Sequence, residues 1–385
     1  MSRNDDKNGK KQATDISIEF ALKAITSKSY INTLSERCNM KNISEIDKNF
    51  AINSNVQRDD ISFHNILSSP FDIRGVFYEN GLFRRMPEEV AKTISDGVYA
   101  LHTNTAGGRV RFATDSPYVA IVTRMPGVGK MSHFALSGSA GFDLYADNRY
   151  VSSYIPPFDI SDGYQGIINL GSSKMREITI NFPLYSNVSE VYIGLSKNSE
   201  LKPPAPYKTD VPVVYYGSSV TQGGCASRPG TSYQSIVSRQ IDADFINLGF
   251  SGNAHAEDEM RDYIKTLKMS VFVFDYDYNA PTPEYLDATH EKMFREIRRC
   301  NPSLPIILMT RPKYYLNKED VACYKIIEKT YKNAIVRGDK NVYLIPGKKL
   351  MRLAKNEGTV DACHPTDLGF YSMAHALIPV LKEII

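Results

Sequence analysis

The spacing of hydrophobic positions changes character partway along the chain. From about Asp96 to Leu195, apolar and polar residues alternate with a period of about two, which is typical of strands that bury one face. Turn residues such as Asp147-Asn148 separate several of these segments. The predicted strands are Arg109 to Ala113, Tyr118 to Arg124, Phe142 to Tyr145, Ile178 to Phe182 and Glu190 to Leu195. The pattern predicts a small β-sandwich, jelly-roll-like, over residues 61–200.

Downstream, short apolar runs alternate with segments of helical periodicity. In the last of these segments, Phe370, Met373, Ala374 and Leu377 recur at the spacing of one helix face. The predicted strands are Val211 to Tyr216, Phe245 to Leu248, Val271 to Tyr276, Ile306 to Met309 and Val342 to Ile345. This alternation is typical of a parallel sheet covered by helices. The sequence therefore predicts an α/β domain over residues 211–385, a three-layer, doubly wound and mostly parallel five-stranded sheet.

Two segments follow neither pattern. Residues 201–210 begin with Leu201-Lys202-Pro203-Pro204-Ala205-Pro206, which predicts a semi-rigid, proline-rich linker. Residues 1–60 form a polar, weakly patterned extension, in which short helices are expected near Ile16 to Thr26 and Ser29 to Cys38. A length of 385 residues suits this division, because it exceeds one average domain.

Composition and charge narrow the range of partners. Lys and Arg number 46 against 43 Asp and Glu, so no basic field points to nucleic acid. Met1 to Asp15 contains no apolar export signal, and no later apolar run reaches the roughly 18 residues of a membrane span. The five cysteines are scattered, which suits reduced thiols, and no Cys or His pair has a metal-ligand spacing. We expect a cytoplasmic protein that binds no membrane and needs no metal or cofactor. Whether it forms a homo-oligomer stays open.

The end of the first α/β strand carries a candidate nucleophile. The segment Tyr216-Gly217-Ser218-Ser219-Val220 is a strand, a glycine-containing turn and then a helix start. A phosphate loop would need a Lys that this segment lacks. Ser219 could be activated if a histidine reached it, and the turn's amides could face an oxyanion. The structural alternative is a tight turn with solvated hydroxyls.

Three further pieces lie at or beyond later strands, where an open α/β sheet builds its sites. Gly252 permits close backbone approach, and Asn279 could donate to an oxyanion, although each also suits an ordinary turn. Asp361 and His364 are three residues apart in a predicted loop, so the carboxylate could accept from Nδ1 while Nε2 points outward. A surface turn is the alternative. Together the pieces supply what ester hydrolysis through an acyl-enzyme requires.

These residues resemble a known family. Gly217-Ser218-Ser219-Val220, Gly252, Asn279 and Asp361-Ala362-Cys363-His364-Pro365 resemble, in order, the four blocks of the SGNH (GDSL-type) serine hydrolases. The resemblance implies that Ser219 is the nucleophile, His364 the base and Asp361 its orienting acid. It further implies an oxyanion hole of the Ser219 amide, Gly252 and Asn279. The stretches 104–116 and 141–145 resemble the β-domain that precedes the hydrolase domain in a bacterial branch of this family.

The chain departs from the family pattern at several positions. The usual Gly-Asp-Ser-Leu is Gly-Ser-Ser-Val, which leaves Ser218 as an alternative nucleophile. Asp277 stands where a glycine usually precedes the asparagine, and Ala280 where an acid often follows it.

The remaining histidines have weaker cases. His255 follows the second block and is a rival base, but it lacks a preceding loop acid. His290 is expected to pack within a helix and His375 to face solvent. No motif surrounds the other histidines, which are His64, His102 and His133.

The residues and the resemblance together predict a serine esterase that acts on a small acyl ester. The resemblance implies an acetyl group on a carbohydrate, so the partner would be a small-molecule or oligosaccharide ester. Two alternatives stay open: an acyltransferase, and a carbohydrate-binding protein with an inactive hydrolase domain. The intact Ser219, Asp361 and His364 argue against the second.

Overall fold

The computed structural model describes residues 43–48 and 56–385. The first range contains one short helix, α1 (Ile43–Ile46). The helices expected near Ile16 to Thr26 and Ser29 to Cys38 lie outside the described residues. Residues 56–385 belong to one compact unit.

The first part of this unit contains two antiparallel sheets. The strands are β1 (Ile61–Asn65), β2 (Asp72–Arg74), β3 (Phe77–Glu79), β4 (Leu82–Arg84), β5 (Arg109–Thr114), β6 (Tyr118–Arg124), β7 (Phe142–Ala146), β8 (Arg149–Tyr154), β9 (Gln165–Asn169), β10 (Arg176–Asn181), β11 (Glu190–Ser196) and β12 (Leu201–Lys202). One sheet has the order β1-β11-β6-β9, and the other has the order β12-β5-β10-β7-β8 with β2 paired to β5. Strands β3 and β4 form a separate hairpin.

The two sheets share one hydrophobic core. Phe112 and Phe142 from one sheet lie in the same buried cluster as Ile121 and Ile193 from the other. The antiparallel β domain predicted from the alternating pattern is therefore confirmed. Strands β8 and β9, which the pattern did not predict, lie at sheet edges.

The second part of the unit contains a parallel sheet with the order β14-β13-β15-β16-β17. Its strands are β13 (Thr209–Gly217), β14 (Ala243–Gly249), β15 (Val271–Asp275), β16 (Ile306–Met309) and β17 (Val342–Ile345). The helices of the unit are α2 (Glu88–Ile94), α3 (Asp96–Leu101), α4 (Leu136–Ser139), α5 (Ser219–Gln222), α6 (Tyr233–Ile241), α7 (Asp258–Ile264), α8 (Pro283–Cys300), α9 (Lys318–Val336), α10 (Gly347–Leu350) and α11 (Asp367–Ile384).

Alternate residues of β13 face opposite layers of helices. Val214 and Tyr216 join the core formed with α7, α8 and α9, whereas Val213 and Tyr215 join the core formed with α6 and α11. The chain runs from β13 to β14 on one side and returns to β15 on the other. The predicted doubly wound, three-layer sheet is thus confirmed, and its strand order reverses at β13, where such folds place their sites.

The structure differs from the predicted segment boundaries in two places. Helices α2 and α3 fall within the predicted β-sandwich range, but their Ala91 and Val98 belong to the core of the α/β sheet. The predicted linker 201–210 is shorter, because Leu201–Lys202 pairs with β5 and Thr209 already belongs to β13. Between them, the Ala205 carbonyl accepts from Arg111 at 2.8 Å.

A buried arginine joins the antiparallel and parallel sheets. Arg109 of β5 forms an ion pair with Asp244 of β14, donates to the Phe245 carbonyl at 3.3 Å and lies over the Phe245 ring. The Asp244 side chain is also buried, and its second cation, Arg74, lies 3.1 Å away. This contact therefore holds β14 against the β domain.

We predict that Arg109→Ala destabilises the protein by about 3 kcal/mol, because it leaves Asp244 buried beside a single, more distant cation. The measurement is the urea midpoint followed by circular dichroism. Arg124→Ala, which breaks the exposed pair with Glu190, is the control and should change stability by less than about 1 kcal/mol. Equal midpoints for both variants would contradict a structural role for Arg109.

Candidate active site

The candidate nucleophile lies on a sharp turn between β13 and α5. Gly217 is required there, because a Cβ atom at this position would lie 1.9 Å from the Asp275 carbonyl oxygen. Ser218 is the N-cap of α5, and its hydroxyl accepts from the Val220 amide at 3.2 Å. Ser219 is therefore the first residue of the helix and is 7% exposed.

A chain of hydrogen bonds joins the first and last sequence blocks. The Ser219 Oγ lies 2.9 Å from His364 Nε2, and His364 Nδ1 lies 2.7 Å from Asp361 Oδ2. The other Asp361 oxygen accepts from the amides of Cys363 and His364 at 3.0 and 2.7 Å. Although burial opposes it, these amides and the imidazole lower the pKa of Asp361 to about 2. An ionised Asp361 fixes the tautomer in which Nε2 can accept a proton.

The structure distinguishes the predicted nucleophile and base from the alternative serine and histidines. The Ser218 side chain is fully buried and serves the helix cap, whereas Ser219 meets His364. His255 lies beside Glu257, with Nδ1 3.8 Å from the carboxylate, and its ring packs against Tyr285. His290 stacks on Phe274, and burial lowers its pKa to about 3.

Three groups are the predicted donors of the oxyanion hole. The Ser219 amide is the first N–H of α5, where the helix offers no acceptor. Gly252 has φ +70° in a turn closed by Asn253 N–H to Phe250 O at 2.9 Å, and a side chain there would meet nothing within 4 Å. Asn279 ends a short 3-10 helix, Asp277–Asn279, and its Oδ1 accepts from the Ala254 amide at 3.3 Å. This bond orients the amide and leaves Nδ2 as a donor.

Asp277, which replaces the family's glycine, is fully enclosed. Its Oδ2 accepts from the backbone and side chain of Arg311 at 3.0 and 3.4 Å, and Arg311 also bonds Asp320 at 3.0 Å. Burial raises the pKa of Asp277, which Arg311 opposes. Asp275 is also buried, and both burial and Asp277 raise its pKa. Arg311 thus stabilises the carboxylate that begins the helix of Asn279.

The β domain contributes to the same site. The Tyr185 hydroxyl donates to the Ser219 carbonyl at 3.3 Å, and Gln222 of α5 donates to Asn104 at 3.1 Å. The side-chain oxygen of Gln222 accepts from the Ser251 amide at 3.0 Å, next to Gly252. Gln222 therefore ties the first block, the second block and the β domain together, a role that no sequence motif indicated.

Two further side chains lie close to His364. The His133 ring, from the β domain, is 5.8 Å from the His364 ring. Cys225 follows α5 and is buried, and burial raises its pKa to about 12, so without a bound metal it is a thiol and does not rival Ser219 as nucleophile. The sequence assigned His133 no role, since its proximity depends on folding between segments distant in the chain.

Comparison with known proteins identifies the family. Residues 210–382 match the GDSL-like lipase/acylhydrolase family, and residues 61–201 match the N-terminal domain of SGNH hydrolase-type esterases. The chain belongs to this family of SGNH esterases and acylhydrolases, with the preceding β domain of that group. No curated protein matches the chain.

Solved structures agree with the fold. A Bacteroides ovatus protein described as a GDSL-like lipase is 26% identical, with a TM-score of 0.75 over 84% of this chain and 98% of that one. A salicylyl-acyltransferase from a tetracycline biosynthetic pathway is 18% identical, with a TM-score of 0.69 over 85% and 98%. A family two carbohydrate esterase from Cellvibrio japonicus is 14% identical, with a TM-score of 0.56 over 84% and 98%. Within the described residues, no helix has the length and apolar character to cross a bilayer.

We predict that Arg311→Met destabilises the protein by about 3 kcal/mol at pH 8, because Asp277 loses its cation. The difference in stability between this variant and wild type should become smaller toward pH 5. The buried carboxyl of the variant binds a proton at higher pH than the same group in the unfolded chain, so its stability rises relative to wild type as pH falls. The measurement is the urea midpoint at both pH values. In a protein that also carries Asp277→Asn, the stability lost through Arg311→Met should be the same at both pH values. A loss that still depends on pH would contradict this cause.

Proposed function

We propose that the protein is a serine esterase that removes a small acyl group, acetyl on a carbohydrate, through an acyl-enzyme. The observation that carries the proposal is the continuous hydrogen-bond chain from Ser219 through His364 to Asp361. The same three residue types in this geometry activate a serine hydroxyl on several unrelated folds.

The proposed reaction follows from the positions of the protons. His364 Nε2 takes the Ser219 proton as Oγ attacks the acyl carbon, and the Asp361 carboxylate stabilises the imidazolium. The developing oxyanion accepts from the Ser219 and Gly252 amides and from Asn279 Nδ2. His364 then gives its proton to the departing alcohol. A water, deprotonated by the same nitrogen, attacks the acyl-enzyme and releases the acid.

The proposed substrate class is taken from related proteins. The Cellvibrio japonicus relative is described as a carbohydrate esterase, and at 14% identity its likeness supports the fold alone. We extend acetyl-carbohydrate specificity to this chain as part of the proposal. The cytoplasm is the proposed location, which is supported by the free thiols of the four described cysteines.

An acyltransferase is the second candidate, because a salicylyl-acyltransferase shares the fold over 98% of its length. Both activities use the acyl-enzyme and differ in the group that attacks it. Product analysis with p-nitrophenyl acetate and a tenfold excess of free sugar over ester separates them. Acetate alone indicates an esterase, and an acetylated sugar indicates a transferase.

We predict hydrolysis of p-nitrophenyl acetate faster than of the butyrate and octanoate esters, and loss of at least about 10³-fold in kcat for Ser219→Ala. Ser218→Ala is the matched control. It removes a helix cap, which costs about 1 kcal/mol of stability, and should keep most of the activity. Full activity in Ser219→Ala, or a greater loss in Ser218→Ala, would overturn the assignment of Ser219.

We predict that Asn279→Ala lowers kcat by about 10² to 10³, because the transition state loses an oxyanion donor. Asn279→Asp separates this role from a structural one. Aspartate keeps the acceptor for the Ala254 amide but lacks the donor, so it should be as inactive as alanine. Recovery of activity in Asn279→Asp would show that Asn279 only holds the loop.

A further inference from the structure

Three side chains of the kinds that bind transition metals converge at the candidate active site. They are His133 of the β domain, Cys225 after α5 and His364 before α11. One ligand atom from each lies within 4.8 Å of the other two. Within residues 43–48 and 56–385, no other set of three histidine, cysteine or acidic side chains lies close enough to share an ion. The three residues are far apart in sequence, so no ligand spacing could reveal them.

Backbone contacts hold the first two residues in place. The His133 turn is closed by Phe134 N–H to Met131 O at 3.2 Å, and buried Phe134 packs edge-on against Tyr185 at 5.3 Å. The Cys225 loop is fixed by Gly224 N–H to Ser219 O at 2.8 Å. The site is therefore largely built by the packing of the β domain on the loop that follows Ser219.

His364 is already oriented as a metal ligand. Its Nδ1 bonds the Asp361 carboxylate at 2.7 Å, which leaves the lone pair on Nε2, where it meets the Ser219 hydroxyl at 2.9 Å. A carboxylate that orients an imidazole in this way is the usual outer shell of zinc-binding histidines. The proposed catalytic base and a metal ligand would use the same Nε2 lone pair, so the two uses exclude each other.

The donor set favours one class of metal. A thiolate with two imidazoles suits Zn²⁺, whereas Mg²⁺ and Ca²⁺ prefer oxygen ligands. Tetrahedral zinc, with bonds of about 2.0 to 2.3 Å, would bring the two nitrogens and the sulfur to roughly 3.3 to 3.6 Å from one another. Rotation of the exposed His133 side chain can supply much of this contraction.

We propose that Zn²⁺ binds reversibly to His133, Cys225 and His364 and inhibits the enzyme. The Cys225 thiol releases its proton to solvent and binds as thiolate, while His364 Nε2 exchanges the Ser219 hydroxyl for the metal. Water fills the fourth position. Metal binding stands independently of the proposed function, and only the inhibition rests on it.

Cobalt titration of the full-length protein tests the binding. Co²⁺ should bind at one site, with a sulfur-to-cobalt charge-transfer band and the visible bands of four-coordinate cobalt, and Zn²⁺ should displace it. His133→Ala and Cys225→Ser should each weaken Zn²⁺ binding at least about tenfold, since even an outer-shell partner is worth about 10- to 100-fold. The controls are His375→Ala and Cys300→Ser, an exposed histidine and an exposed cysteine elsewhere, which should bind like wild type. A missing charge-transfer band, or equal binding by all four variants, would overturn the proposal.

Hydrolysis of p-nitrophenyl acetate tests the inhibition. Zn²⁺ should inhibit wild type, and a chelator should restore the rate. The Zn²⁺ concentration for half inhibition should rise at least about tenfold in His133→Ala. Inhibition that is unchanged in that variant contradicts the site. A protein that hydrolyses no ester, yet shows the cobalt band and loses it in Cys225→Ser, retains the metal site while the proposed function fails. A protein that hydrolyses the ester, but that Zn²⁺ neither binds nor inhibits, retains the proposed function while the proposed metal site fails.

Discussion

The geometry of the site depends on the close approach of Gly217 to the backbone of Asp275 at the point where the strand order of the parallel sheet reverses. No side chain fits between them. The Ser218 amide donates to the Asp275 carbonyl, and the Gly217 carbonyl accepts from the Phe250 amide at 2.8 Å. The carboxyl ends of β13, β14 and β15, from which the first three sequence blocks continue, therefore meet through main-chain contacts at Gly217 and Ser218. A β-carbon at position 217 would separate them, and Ser219 would no longer begin its helix beside His364.

The β domain stabilises this arrangement from outside the sheet. Arg85 is fully buried and donates to the carbonyls of Asn104, Asn247 and Gly249, which places its charge against the end of β14. Burial lowers its pKa to about 9. Gln222 makes the second connection, through Asn104 and the Ser251 amide. The loop of Gly252 is thus supported by Arg85 of the β domain and by Gln222, which is itself bonded to Asn104 of the β domain.

Buried charge also explains a departure from the family pattern. Asp277 occupies the space that a glycine would leave, and it pairs with Arg311, which follows the neighbouring strand β16. Arg311 is in turn paired with Asp320. Asp277 depends on Arg311, because the carboxylate without this cation would be an uncompensated buried charge. This pair holds the first residue of the short helix that carries Asn279.

The sequence by itself determined the two kinds of sheet, the five parallel strands and the order of Ser219, Gly252, Asn279, Asp361 and His364 along the chain, because periodicity and strand-end chemistry are local properties. It could not separate Ser218 from Ser219, since both are serines in one turn and only the helix cap directs them apart. The packing of α2 and α3 on the parallel sheet, the bridging by Gln222 and Arg85, and the meeting of His133 and Cys225 with His364 were decided by tertiary structure alone. These contacts join residues that are distant in the chain, and no local pattern records which distant surfaces will be buried together.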